Sequence, residues 1–276
     1  FILGTDPDSD RVGIMIRDKN GEYQVVTGNQ TGVVLLDYLL GAMQRSGKLP
    51  EKPVALKTIV TTEMAKAVAE SYGAACYDTF TGFKFLAEKK DKLEGAGEGK
   101  VVFSYEESYG YMLGDFVRDK DAVTASLALT EMAAYYASKG MTVLDALNAL
   151  YEKHGYYGEK THNLVMPGLD GLKDMAKLMA SLRQTPPREI AGVTVRQFKD
   201  YQDGSVVDCA TGETSAMDLS GSNVLRFELA DGTSIIVRPS GTEPKIKVYV
   251  LTKGKDAAER DANLAKYASW VAELKP

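Results

Sequence analysis

The stretch VALKTIVTTEMAKAVAESYGAACYD (residues 54–78) decides the fold. Residues 54–60 read as a strand. Thr62 then caps a helix that runs to about Tyr72 and is closed by Gly73, and residues 74–78 read as a second short strand. Downstream, residues 79–82 form a turn and 83–93 a charged amphipathic helix. Residues 94–99 make a Gly-rich loop and 101–103 a buried strand. Long helices over 122–138 and 142–154 end at Gly140 and Gly155. This alternation of strand and helix argues for an α/β unit with a largely parallel sheet. Upstream, Leu35, Leu39 and Met43 recur at helical spacing within 31–45. Residues 12–16 and 23–26 are strands joined through Asp18-Lys19-Asn20-Gly21, a hairpin signal. Phe1-Ile2-Leu3 running into Gly4 reads as the end of a buried strand, so the chain is expected to be the C-terminal piece of a longer protein.

After Gly155 the texture changes. Residues 156–166 read as a strand and 171–182 as a helix, and Thr185-Pro186-Pro187 breaks the chain. Strands at 224–229 and 234–237 flank the hairpin signal Ala230-Asp231-Gly232. A third alternates over 246–251, and a final helix covers 256–274. Grouped strands with helices at the ends suggest a smaller α+β domain, with the boundary at 150–160.

Composition narrows the function classes. The chain has 276 residues, 44% hydrophobic and 26% charged, and ~150 residues per domain gives about two domains. No apolar stretch approaches the ~18 to 20 residues of a membrane helix. The net charge of −5, without a Lys/Arg-rich run, argues against nucleic acid. Cys76 and Cys209 lie far apart without a CxxC pairing, which fits a reducing compartment.

Three motifs carry chemistry. In Gly4-Thr5-Asp6-Pro7-Asp8-Ser9-Asp10-Arg11, carboxylates at alternate positions can converge on one hard cation, and oxygen-only ligands suit Mg²⁺. An EF-hand would need Gly and Glu where Arg11 and Arg17 stand, and a solvated acidic turn is the plain alternative. Ser104-Tyr105-Glu106-Glu107-Ser108-Tyr109-Gly110 follows a buried strand, at the sheet edge where open α/β folds bind ligands. Its carboxylate and hydroxyl, two apart, can hydrogen-bond a pair of sugar hydroxyls, or simply form a polar turn. In Arg238-Pro239-Ser240-Gly241-Thr242-Glu243-Pro244-Lys245, the guanidinium offers a bidentate fork to phosphate, and hydroxyls and amides can line an anion pocket. The alternative there is a hairpin turn. Gly95-Ala96-Gly97-Glu98-Gly99-Lys100 lacks the spacing of a phosphate loop and reads as a connector, while His154 and His162 have no partner at metal spacing.

These motifs, in this order and with Thr81-Gly82-Phe83-Lys84 between them, resemble the α-D-phosphohexomutase superfamily, above all its bacterial phosphoglucomutases. The resemblance spans Gly4 to Lys245. It implies that residues 1–26 end the second mutase domain, 27–155 form the third, a mixed-sheet α/β domain, and 156–276 the fourth. That last domain is smaller and α+β, TATA-box-binding-protein-like in fold, a name that implies no DNA binding. By resemblance Asp6, Asp8 and Asp10 hold Mg²⁺ and Arg11 faces the reacting phosphate. Lys84 lies in the cleft near the acid/base step. Glu106 and Ser108 grip sugar hydroxyls, and Arg238, Ser240, Gly241, Thr242 and Lys245 clamp the distal phosphate. The chain departs from the pattern in two places. Tyr105 stands where the sugar loop has Gly, and no Ser-His-Asn-Pro-like segment carrying a nucleophilic phosphoserine occurs.

The expectation is therefore the C-terminal part of a cytoplasmic phosphoglucomutase. It would interconvert glucose 1-phosphate and 6-phosphate through glucose 1,6-bisphosphate, and would be inactive without its N-terminal domains. A phosphomannomutase or dual-specificity enzyme, and a non-catalytic sugar-phosphate-binding module, are the alternatives. A hexose phosphate is the expected partner, with no nucleic acid and no membrane.

Overall fold

A computed structural model describes residues 1–168, 170–241 and 243–274, and it separates into two units, Phe1–Gly155 and Tyr156–Pro276. The first unit opens with an antiparallel sheet of β1 (Ile2–Thr5), β2 (Val12–Arg17) and β3 (Tyr23–Val26), in that order. In β2, Val12, Ile14 and Ile16 are buried and the residues between them are not, the alternation of a one-faced sheet. β1 is a strand but not a buried one. It is an edge strand, and Ile2 is 46% exposed.

Helix α1 (Gly28–Arg45) begins before the apolar spacing does. Thr27 and Gln30 form a capping box, each side chain bonding the other's backbone N–H. β4 (Pro53–Thr58) is buried at every position, as a central parallel strand must be. It is followed by α2 (Met64–Ser71), β5 (Ala75–Thr79), α3 (Phe83–Gly95), β6 (Lys100–Tyr105) and the short β7 (Tyr111–Met112). The helix proper starts at Met64 with Glu63 as its N-cap, so the sequence-marked cap stands one residue too early, although the Thr62 hydroxyl still accepts from the Met64 N–H at 3.2 Å. Strand order is β5-β4-β6-β7. β4 is parallel to β5 and β6, and β7 is antiparallel to β6, which makes the sheet mixed. α4 (Ala122–Ser138) and α5 (Val143–His154) complete the unit.

The second unit is an antiparallel sheet with helices on one core. Its elements are β8 (Tyr156–Val165), α6 (Gly171–Gln184), β9 (Glu189–Ile190), β10 (Val193–Asp200), β11 (Ser205–Asp208), β12 (Thr214–Ala216), β13 (Leu225–Leu229), β14 (Ser234–Pro239), β15 (Lys245–Gly254) and α7 (Ala257–Glu273). The order is β12-β11-β10-β13-β14-β15-β8, with β9 paired to β10. Leu178 and Met179 of α6 and Tyr267 and Val271 of α7 share one core with Phe227, Ile235, Val237, Val248 and Val250. Strands β9 to β12 lie in a stretch whose sequence pattern marks no strand.

Candidate functional site

The β1–β2 turn carries the acidic motif. The Asp10 and Arg11 amides each donate to Asp6 Oδ1 at 3.1 Å, and Ser9 takes a left-handed φ of 55° that curls the turn. The Arg11 Nε donates to Asp6 Oδ2 at 2.7 Å. Desolvation pushes the Asp6 carboxyl up, but the Arg11 backbone N–H, the Arg11 guanidinium and the Asp10 N–H outweigh it and hold the pKa at about 2. Asp6, Asp8 and Asp10 each bring one oxygen within 4.8 Å of the others. Ligands ~2.1 Å from Mg²⁺ are separated by at most about 4.2 Å, so the cluster stands slightly wider than a coordination shell. The donors are hard, anionic and oxygen-only, and they fit the ion.

Asp8 is exposed and makes no ion pair among the described residues. Asp8→Asn is therefore expected to leave the melting temperature unchanged while weakening Mg²⁺ binding on the order of tenfold, because one of three anionic ligands is lost. Calorimetric Mg²⁺ titration beside thermal melts checks both halves. Unchanged Mg²⁺ affinity would remove Asp8 from the metal set.

The second motif forms the turn between β6 and β7. The Glu106 N–H donates to the Gly110 carbonyl at 2.9 Å, closing the turn, and Tyr109 takes a left-handed φ of 68° inside it. Glu106 is 8% exposed, and its Oε1 accepts from the Gly82 N–H at 2.5 Å. The Thr-Gly-Phe-Lys segment thus holds the carboxylate through its backbone. Ser108 is half-buried on the same turn.

The fold joins this turn to the acidic turn. Arg11 and Gly110 form an isolated β-bridge, and the Val12 N–H donates to the Tyr109 carbonyl at 3.1 Å. A third segment completes the group: the Ala122 N–H donates to the Ser9 carbonyl at 3.0 Å, and the Lys120 ammonium lies 2.6 Å from Asp10 Oδ2. A side chain at Gly110 would meet Lys120 Cδ at 2.8 Å and Phe83 at 2.9 Å, so the loops close only over a glycine. Burial opposes the Lys120 charge, but Asp10 and Asp119 outweigh it, and the ammonium titrates above its ordinary range.

Lys120 is the site residue that sequence reasoning missed. In Arg118-Asp119-Lys120-Asp121 it reads as one charge of a solvated loop, and only packing against Asp10 singles it out. Lys84, the residue singled out instead, is exposed at the start of α3 with its ammonium 4.7 Å from the Phe85 ring centroid. Among the described residues it forms no ion pair with the acidic turn.

The segment that carries Lys120 is anchored at its other end. Asp115 pairs with Lys100 at 2.6 Å and with Lys90 at 2.7 Å, and Lys90 is 1% exposed. Lys100, then Lys90, depress the Asp115 carboxyl from 3.8 to about 2. A depressed folded pKa contributes stability above the unfolded value, and that stability is lost as pH falls toward the folded one. Asp115→Asn is expected to lower the melting temperature slightly at pH 6, the gap closing as pH falls below 4. A gap that persisted unchanged to low pH would show that the ion pairs contribute nothing.

In the second unit, β14 and β15 hold the third motif. Arg238 and Lys247 are register partners across the two strands, and neither has an ion-pair partner among the described residues. With Ser240, Gly241, Glu243 and Lys245 they line a concavity of about 410 Å³. The Ser240 N–H donates to the Lys245 carbonyl at 2.8 Å and the Ser240 hydroxyl accepts from the Glu243 N–H at 3.2 Å, which fixes the turn. Lys245 pairs with Glu243 at 2.7 Å, so its charge is already partly answered. Thr242 lies outside the described residues. Lys247 was not marked by the sequence because it sits within the alternating strand.

Residues 27–154 match the phosphoglucomutase/phosphomannomutase alpha/beta/alpha domain III, and residues 166–264 match the C-terminal domain of the same family. The chain belongs to the phosphoglucomutase/phosphomannomutase family. It is 36% identical over 256 residues to a phosphoglucomutase of Staphylococcus aureus, an alignment covering 93% of this chain and 45% of that protein. Among solved structures it is similar to parafusin, a phosphoglucomutase of Paramecium in its open form (TM-score 0.65, 19% identity, 99% of this chain, 45% of that one). It is also similar to an Aspergillus fumigatus N-acetylphosphoglucosamine mutase in complex with GlcNAc-6P and magnesium (TM-score 0.53, 12% identity, 99% and 49%). The chain thus spans less than half the length of the curated relatives it matches.

Proposed function

We propose that this chain supplies the metal, sugar-hydroxyl and distal-phosphate recognition of a phosphoglucomutase. That enzyme would interconvert glucose 1-phosphate and glucose 6-phosphate, with glucose 1,6-bisphosphate as intermediate and activator. The observation that carries the reading is the joining of the acidic turn to the Glu106 turn through Arg11, Gly110 and Lys120. Two merely solvated loops have no reason to be bridged to each other backbone to backbone, as these are at Arg11–Gly110 and Val12–Tyr109. The likeness to phosphoglucomutases over nearly the whole chain supports it.

In this reading Asp6, Asp8 and Asp10 hold Mg²⁺, which when bound offsets charge developing on the transferred phosphoryl group. Arg11 presents its guanidinium beside that group. Lys120, a cation held beside Asp10, would offer its ammonium to an anionic oxygen of the ligand. Glu106 accepts from one sugar hydroxyl while Gly82 keeps it in place, and Ser108 bonds the next. Arg238, Ser240, Gly241, Thr242, Lys245 and Lys247 orient the phosphate that is not transferred, which supplies positioning without chemistry. The clamp accepts either end of the sugar, so the hydroxyl-reading turn tolerates both orientations. The nucleophilic phosphoserine comes from residues outside these 276, and the setting is cytoplasmic, in keeping with two free thiols.

The test is direct. The chain, given glucose 1-phosphate, Mg²⁺ and glucose 1,6-bisphosphate, is expected to bind the sugar phosphates and to turn none over. Turnover at the level of an intact mutase would overturn the outside nucleophile. Absence of any sugar-phosphate binding would overturn the recognition roles.

A further inference from the structure

Two glycines one helical turn apart face the Glu106 turn. A Cβ on Gly28, the first residue of α1, would lie 2.1 Å from the Glu107 carbonyl oxygen and 2.9 Å from the Tyr109 nitrogen. A Cβ on Gly32 would lie 2.0 Å from Cε2 and 2.3 Å from Cδ2 of the Tyr105 ring. Positions i and i+4 share a helix face, so the two glycines form one continuous seat. Both distances are far inside van der Waals contact. At Gly28 backbone meets backbone, and at Gly32 an aromatic ring lies on bare helix.

Glycine is a poor helix residue, and nothing about α1 itself calls for it at these positions. The third glycine within the helix is different. A Cβ on Gly41 would meet only the ends of the Arg45 and Tyr72 side chains, at 2.9 and 3.1 Å. Tyr105 cannot move aside. It is fully buried and stacks on Phe103 at 5.3 Å, and Phe103 stacks in turn on Tyr111 at 6.3 Å. Glu106 is the next residue, locked laterally by the Gly82 amide. Its height over α1 is left to Tyr105 on one side and the Glu107 carbonyl on the other.

We infer that Gly28 and Gly32 are positioning residues for Glu106, setting the height of the sugar-reading turn above α1, with Tyr105 as the side chain that fills the seat at Gly32. The inference rests on the assignment of Glu106 to sugar recognition. It also accounts for Tyr105 standing where the resembled sugar loop carries glycine: the bulk added at 105 is accommodated by the absence of a side chain at 32.

The test uses the full chain and two readouts, amide hydrogen exchange of residues 106–110 and calorimetric titration with glucose 1-phosphate and, separately, inorganic phosphate. Gly32→Ala is expected to speed exchange in the turn tenfold or more. It should weaken glucose 1-phosphate binding about tenfold and leave inorganic phosphate unaffected, since the distal-phosphate clamp of Arg238 and Lys247 shares no residue with this turn. Gly41→Ala, the helix-propensity control, should change neither. Adding Gly32→Ala to Tyr105→Ala should cost nothing further, because the ring that the new methyl group would strike is gone. Gly28→Ala strikes a backbone carbonyl, so Tyr105→Ala should not relieve it. Should Gly32→Ala fail to fold, Tyr105→Leu half-empties the seat and must by itself speed exchange at 106–110. Exchange within twofold of wild type in Gly32→Ala or Tyr105→Leu, or fully additive losses in the double variant, would overturn the seat. Failure of the wild-type chain to bind glucose 1-phosphate overturns the sugar-loop reading instead, while the exchange arm still judges the seat.

Discussion

Arg238→Ala is expected to weaken glucose 1-phosphate binding by roughly 1.5–3 kcal/mol, the scale of a charge-assisted hydrogen bond, or about ten- to 150-fold. Glucose 6-phosphate and inorganic phosphate should lose as much, and free glucose, which has no phosphate to clamp, should lose nothing. Arg238→Lys should recover only part, because a point charge does not reproduce the planar fork. The competing role is a pin for the β14–β15 hairpin. That role predicts a lower melting temperature and equal damage to every ligand. The structure favours the first outcome, since Arg238 has no ion-pair partner among the described residues and lines a concavity shared with Lys247. Titration of wild type and both variants, beside thermal melts, separates the two. Unchanged phosphate affinity with reduced stability would remove Arg238 from the clamp.

Much of the first unit was legible because its signals are local. Residues 54–78 alternate strand and helix, and Gly73, Gly140 and Gly155 all adopt the positive φ that ends a helix or turns the chain. The start of α1 was not legible. Gly28-Asn29-Gln30 carries no apolar period, and the capping box at Thr27 shows only when the helix is already known. In the second unit β10 was missed for a physical reason. A register shift between Val195 and Gln197 leaves Val195 and Phe198 both buried although they are three apart, which destroys the period of two. β11 is half-buried throughout and β12 wholly exposed, so neither has a face to read.

The candidate residues of each unit divide in the same way. The acidic, carboxylate and cationic turns announce themselves because each packs several chemical groups into a few consecutive residues. Lys120, Lys247 and the glycine seat do not. Lys120 acquires its meaning from Asp10, far back in the chain, and Gly32 from Tyr105 across two intervening strands and two helices. Such pairings are set by tertiary packing, and no spacing rule reaches them.

Lys57 is a charge carried inside a buried strand. It sits in β4, is 1% exposed, and lies 2.7 Å from Asp78 and 3.3 Å from Glu63. It also donates to the Thr61 carbonyl at 3.2 Å. Desolvation pushes its pKa down, but Asp78 and then Glu63 outweigh it, and the ammonium titrates above its ordinary value. A raised folded pKa gives stability that is complete below the unfolded value near 10.4 and is lost only as pH rises through the folded one, so the ion pair should hold at constant strength through neutrality. Asp78→Ala leaves a buried cation short of its nearest partner. Breaking a buried pair costs about 3–5 kcal/mol, and because Asp78 is 35% exposed and partly screened the expected loss is at the lower end, about 3 kcal/mol. Lys57→Met should behave oppositely. It keeps the stem packed, removes the charge, and leaves two carboxylates that water can reach, so the change should stay within about 1 kcal/mol. That contrast makes the lysine's charge something the fold tolerates rather than needs. Denaturant unfolding of both variants at pH 7 decides the matter. If Lys57→Met lost as much as Asp78→Ala, the attraction itself would be the stabilising element, and the fold would depend on the charge it buries.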